Sequence, residues 1–250
     1  MIGLEFIIFL PKIKEGMGPM LKAIKSAIKK RVDEHVKTAI DNHSRDLSYQ
    51  LQLLARQESA GFVIEHLSGA RFFQDKRSLL EYCLKEVSVC GLYCEFGVAT
   101  GKSINQIAKI ISPEVVHGFD SFQGLPENWR SGFEKGHFIQ GDGIPKIEEN
   151  VCLHIGWFDK TVPEFSREFP GPASLLHIDC DLYVSTRIVF DFLGDRLLPG
   201  SILLFDEYFN YSGWKEHEHK AFLEYVDQFG KKFEYIGYNQ KGEQVAVRMI

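Results

Sequence analysis

The sequence predicts a doubly wound α/β fold, and three observations predict it. Apolar runs of strand length recur at 91–96, 115–119, 151–155, 174–178 and 201–205, as expected of parallel strands buried on both faces. Helical patterns at 102–111, 184–193 and 215–229 alternate with them. A glycine-bearing loop, Gly97 to Gly101, leads from the first run into the first of these helices. The chain has 250 residues, 44% hydrophobic and 25% charged, and a chain of that size buries a full core without staples.

Taken in order, the elements begin with MIGLEFIIFLP, which is apolar but shorter than the roughly 20 residues of a membrane span. It lacks the basic n-region and A-x-A site of a signal peptide and is read as a strand or arm packed on the domain or on a partner subunit. Residues 17–60 read as helix. Met20, Leu21, Ile24, Ile28, Val32, Val36 and Ile40 recur at helical spacing, with Lys22, Lys25, Lys29, Lys30 and Arg31 on the opposite face. A basic amphipathic helix can lie on a membrane surface. Burial of the stripe against its own domain or a second subunit is commoner, and is the expectation. Residues 1–70 are thus read as a helical extension serving oligomerisation or as a lid, in a homo-oligomer, and 71–250 as the α/β domain. A helix is expected over 76–88. Residues 233–238 and 243–249 read as a C-terminal antiparallel hairpin turning at Lys241-Gly242, at the sheet edge. The connection 120–150, rich in Gly, Pro and aromatics, is long enough to be a lid.

The net charge of −5 offers no basic footprint for nucleic acid. Cys83, Cys90, Cys94, Cys152 and Cys180 form no C-x-x-C pair and are read as buried thiols of a reduced, cytoplasmic protein.

The loop Glu95-Phe-Gly97-Val-Ala-Thr100-Gly101 carries the first chemical signal. Gly101-Lys102-Ser103 ends like a P-loop, but that loop needs a glycine where Phe96 stands. The G-x-G-x-x-G fingerprint fails as well, because the spacing here is four. The segment fits E-x-G-x-x-x-G, with glycines that allow a tight turn and close approach to a ligand. Asp120 ends the second run, followed by Ser121. An acid there can take both ribose hydroxyls of a nucleoside. Gly156-Trp157 follows the third run, where Trp157 either stacks on adenine or belongs to the core.

The second signal is acidic. His177-Ile-Asp179-Cys-Asp181 ends the fourth run and Phe205-Asp206-Glu207 the fifth. Ligands of open α/β sheets bind beyond the carboxyl ends of the strands, so these acids face one cleft. Four carboxylates repel one another unless a cation sits among them, and oxygen ligands suit Mg²⁺. Alternatively, Asp181 and Ser185 cap the helix near 184 and Glu207 is simply exposed. Three carboxylates, a vicinal diol and one water would complete an octahedral site, leaving one carboxylate as general base.

Together the stretches 93–103, 118–129, 156–165, 175–187 and 198–222 resemble the macrocin O-methyltransferase (TylF-like) family, over roughly residues 70–248. The resemblance implies a Rossmann-like methyltransferase sheet, S-adenosylmethionine as cofactor, Mg²⁺, and transfer to a hydroxyl of a sugar or other small metabolite. It implies that Glu95 faces the methionine amino group and that Gly97, Thr100, Gly101, Asp120, Ser121, Gly156 and Trp157 bind the cofactor. It implies that Asp179, Asp206 and Glu207 hold the metal and that Asp181 is the general base. The best-known sugar enzymes carry Asp-Asp where this chain has Asp206-Glu207. The segment through Trp129 and His137 corresponds to a substrate lid whose residues touch substrate or merely pack. The run Lys215-Glu-His217-Glu-His219 reads as a solvated first helical turn, with Glu216 and Glu218 favoured by the helix dipole; His217 or Trp214 could also border the acceptor pocket. A catechol-type methyltransferase and a non-catalytic scaffold are the competing readings.

Overall fold

The computed structural model describes residues 19–139, 141 and 143–250. The expected strand or arm at the start of the chain lies outside them. The chain divides into two compact units, Met1–Gln50 and Leu51–Ile250.

The described residues of the first unit are helical but for Asp46. Where one helix over 17–60 was expected there are two, α1 (Pro19–Arg45) and α2 (Leu47–His66). The break falls at Asp46, whose Oδ1 accepts the N–H groups of Ser48 (2.9 Å) and Tyr49 (3.3 Å). An aspartate that satisfies the free donors of a new helix starts one. The apolar stripe of α1 is not buried: Ile24, Ile28, Val32, Val36 and Ile40 are 42–64% exposed.

The second unit takes in the rest of α2, so the division falls well before the expected residue 70. Ala55 and Ser59 are buried, and Ser59 Oγ accepts the Asn210 N–H at 2.8 Å. The remaining elements are β1 (Arg71–Phe73), α3 (Lys76–Glu86), β2 (Leu92–Phe96), α4 (Lys102–Ile111), β3 (Val116–Asp120), β4 (Val151–Ile155), α5 (Phe158–Glu168), β5 (Ala173–Ile178), α6 (Tyr183–Leu193), β6 (Ile202–Phe205), α7 (Glu218–Phe229), β7 (Phe233–Asn239) and β8 (Val245–Met249). They form one eight-stranded sheet in the order β1-β7-β8-β6-β5-β2-β3-β4. Strands β2 to β6 pair in parallel and β8 runs antiparallel to β6 and β7. The hairpin is where the sequence put it along the chain but not at the sheet edge, because β1 pairs with β7 outside it.

Burial on both faces shows the double winding. In β5, Leu175 packs with Leu79, Leu80, Ile104 and Ile107 of α3 and α4. Its neighbour Leu176 points the other way, among Val162, Phe165, Val189, Phe190 and Phe222 of α5, α6 and α7. Among the described residues no helix is long and apolar enough to cross a membrane. Two cysteines depart from expectation: Cys90 and Cys152 are exposed, while Cys83, Cys94 and Cys180 are buried. Cys152 lies on β4, the outermost strand at its end of the sheet among the described residues.

Candidate active site

The carboxyl ends of β2 to β6 open into one cavity of about 840 Å³, within the range of small-molecule sites. Its wall includes Gly97, Thr100, Asp120, Ser121, Gly156, Trp157, Asp179, Asp181, Asp206 and Glu207. All the expected site residues are therefore there except Glu95 and Gly101.

At Gly97 the chain can hold nothing larger. Its φ is +95°, and a Cβ would stand 1.7 Å from the Asp179 carbonyl oxygen. The close approach follows from β2 and β5 being neighbours, with the Asp179 N–H donating to the Phe96 carbonyl at 2.9 Å. Gly101, at φ +75°, is the residue before α4 and turns the chain into it. Asp120 clamps the loop: its Oδ2 accepts the Val98 and Ala99 N–H groups, both at 2.8 Å, and its Oδ1 that of Phe122 at 2.7 Å. A carboxylate has about four lone-pair sites, so the clamp leaves one acceptor, on Oδ1, for a ligand.

Glu95 does not line the cavity. It is fully buried, accepts the Ser103 hydroxyl at 3.0 Å, and lies 2.8 Å from His177 Nδ1. A carboxylate so engaged is part of the wall's support. His177, also fully buried, links it forward, with Nε2 3.6 Å from Asp206 Oδ1. Burial opposes its charge, but Asp206 and Glu95 hold the proton and raise its pKa to about 10.

The acids converge as the strand ends predicted. Asp181 sits at φ +64° in a three-residue turn closed by the Leu182 N–H on the Cys180 carbonyl at 2.6 Å. Such backbone is costly for any residue with a Cβ and recurs at functional sites. Neither capping alternative holds: the residue before α6 is Leu182, with no side-chain cap, and Glu207 is only 9% exposed. Lys76, the first residue of α3, reaches between the strands. Its Nζ lies 2.9 Å from Asp179 Oδ2 and 2.6 Å from Asp206 Oδ2, and these carboxylates raise its pKa against the opposing effect of burial. Burial, then the neighbouring Asp179 and Asp206, push Asp181 up to about 8, and Glu207 is raised for the same reasons. Burial acts upward on Asp206 too, but His177 and Lys76 outweigh it and bring the group to about 2.

The sequence reading missed three residues. Nothing in local spacing ties Lys76 to an acid 103 residues away. His177 stood inside a quoted motif without a role. Glu218, expected in a solvated turn, is fully buried: its two oxygens accept the N–H groups of Cys180 (3.4 Å) and Glu207 (3.1 Å), fixing both acidic strand ends. His219 is buried as well, and only Glu216 of that run is exposed as expected among its acids. Trp129 and His137 of the expected lid pack instead of lining the cavity. Trp129 meets Arg130, Phe133 and Tyr211, and His137 meets Phe133. Gly124, Leu125, Pro126 and Phe138 of that segment do line it.

The donor set suits a hard divalent cation. Asp179, Asp206 and Glu207 offer only oxygen; Glu207 Oε2 is buried without a hydrogen-bond partner, and Asp206 Oδ1 has only His177 Nε2 at 3.6 Å. The Lys76 ammonium already neutralises part of that charge, so cation and lysine draw on the same oxygens.

Residues 94–208 match the family described as "Methyltransferase domain". No curated protein matches the chain. Solved structures of similar fold include the calicheamicin methyltransferase CalS11, 22% identical, covering 69% of this chain and 77% of that one, with a TM-score of 0.57. The O-methyltransferase NovP is 23% identical, covering 69% and 78%, with a TM-score of 0.53. The fold is that of these methyltransferases, in agreement with the resemblance read from the motifs.

Proposed function

We infer that the methyltransferase domain at residues 94–208 transfers the methyl group of S-adenosylmethionine to a hydroxyl oxygen of a sugar or another small hydroxylated metabolite. The observation that carries this reading is the meeting of the glycine loop with Asp179, Asp181, Asp206 and Glu207 in one cavity. The strand order supports a division of the parts. The ends of β2, β3 and β4 supply Gly97, Thr100, Asp120, Ser121, Gly156 and Trp157 for the cofactor, and the ends of β5 and β6 supply the acids for the acceptor.

The acceptor oxygen attacks the sulfonium methyl carbon as the carbon–sulfur bond breaks. S-adenosylhomocysteine leaves with the electron pair and Asp181 takes the hydroxyl proton. A carboxyl raised to about 8 is a stronger base than an ordinary one. Asp179, Asp206 and Glu207 would hold Mg²⁺, which when bound lowers the pKa of a coordinated hydroxyl. His177 and Glu218 act through the acids, one by charge on Asp206 and the other by fixing the backbone of Cys180 and Glu207. The exposed stripe of α1 supports the further reading that the chain assembles with copies of itself, which light scattering of the full chain and of an Ile28→Lys/Val36→Lys variant tests.

Calorimetric titration with S-adenosylhomocysteine, with and without Mg²⁺, tests the main reading. Micromolar binding that weakens sharply in Asp120→Ala supports it. A folded protein that does not bind removes it. Transfer of labelled methyl to a panel of sugar nucleotides and catechols then identifies the acceptor.

A further inference from the structure

We propose that His117, Cys152 and His154 form a zinc site on the two outer strands β3 and β4. Their pairing places Cys152 opposite His117 and His154 opposite Phe119. Residues two apart on a strand share a face, so all three side chains leave the same side of the sheet. His117 Nδ1 lies 3.1 Å from His154 Nε2, and the two nitrogens and the Cys152 sulfur all fall within 4.8 Å of one another. In a tetrahedral zinc site, bonds of about 2.0–2.1 Å to nitrogen and 2.3 Å to sulfur set ligand atoms roughly 3.3–3.6 Å apart. The histidine nitrogens are already near that spacing, and the sulfur reaches it by side-chain rotation.

The surroundings hold the rings in place. His154 stacks on Phe119 with centroids 4.6 Å apart, and Phe165 lies 4.8 Å from His117 and 5.0 Å from His154. Burial, and then His154, bring the His117 pKa to about 4. Burial also lowers His154, against the field of Glu168. Cys152 is exposed, which gives an ion an entry path and leaves a fourth position for water. Two imidazoles and a thiolate are borderline-soft donors, unlike the all-oxygen set of the active site, and select zinc over Mg²⁺. None of the three residues lines the active-site cavity, so this site stands whether or not the methyltransferase reading does. His117 lies three residues before Asp120 on β3, and His154 lies on β4 two residues before Gly156, which follows that strand. A bound ion would clip the edge strand to its neighbour beneath the cofactor side of the pocket.

The alternative is a histidine pair joined by a hydrogen bond alone. Co²⁺ decides between them, because a thiolate–cobalt bond gives a charge-transfer band in the near ultraviolet that oxygen ligands cannot give. The full chain, stripped of metal and kept reduced, is titrated with Co²⁺ and then with Zn²⁺. One equivalent should produce the band together with tetrahedral d–d absorption, and Zn²⁺ should abolish both. Cys152→Ser, a change at an exposed residue, should lose the charge-transfer band and at least about tenfold in affinity, with His154→Phe weakened similarly. No band in the parent chain, or a band retained in Cys152→Ser, overturns the site.

Discussion

Replacing Lys76 by Met removes an ammonium that touches both Asp179 and Asp206 and keeps most of the side-chain volume. Its Nζ lies 2.6 and 2.9 Å from the two carboxylates, so the variant leaves those acids facing each other. Breaking a fully buried pair costs about 3–5 kcal/mol. Here the Lys76 side chain is 37% exposed and that of Asp179 25%, and water screens part of the repulsion, which reduces the expected loss to about 2 kcal/mol. For a chain of this length that lowers Tm by roughly 4–8 °C in metal-free buffer. The same change frees oxygens for a divalent cation. Mg²⁺ affinity by calorimetry should rise by about tenfold, equivalent to about 1.4 kcal/mol, and saturating Mg²⁺ should recover most of the lost Tm. A Lys76→Met protein with parental Tm and parental Mg²⁺ affinity would refute the argument that lysine and metal share one set of ligands.

Gly97→Ala places a methyl group against the Asp179 carbonyl at a positive φ. A loss of about 2–4 kcal/mol in urea unfolding, with S-adenosylhomocysteine binding lost, is expected. Glu218→Gln turns an amide NH₂ toward one of the two N–H groups the carboxylate accepts. The cost is about 1–3 kcal/mol, and methyl transfer should slow more than cofactor binding weakens. Asp181 holds its proton more tightly folded, at about 8, than at the ordinary 3.8. Its contribution to stability is therefore full below about pH 4 and declines as the pH rises toward 8. The metal-free Tm should fall over that window, and Asp181→Asn should flatten the slope while reducing kcat by roughly 10²–10⁴ if the residue is the base.

The sheet was legible because its strands are buried on both faces. Runs such as SLLHI and SILLF have few other uses, and their ends locate the acids directly. Local rules failed where a distant partner decided the outcome. The helical spacing runs unbroken through residue 46, yet the Asp46 side chain offers a better start for a second helix. Helix α5 escaped notice because Pro163 stands inside it. The three residues of β1 are too few to show a period. Within the site, residue type and strand position placed the carboxylates and the glycine loop, but not what backs them. Glu95 lies behind the wall because His177 and Ser103 meet it there, and Lys76 and Glu218 enter from helices whose charges look like solvent-facing ones on paper.

The order of the strands has a consequence for how such a pocket can change. The donor half is made from a continuous stretch of chain ending at Trp157, and the acidic half from the stretch beginning at Asp179. The two meet where Gly97 lies against the Asp179 carbonyl. Under the proposed function, remodelling the connections after β5 and β6 would reshape what is methylated without disturbing what donates the methyl group. At the seam beside Gly97 both halves must agree, and there the tolerance is less than a single methyl group.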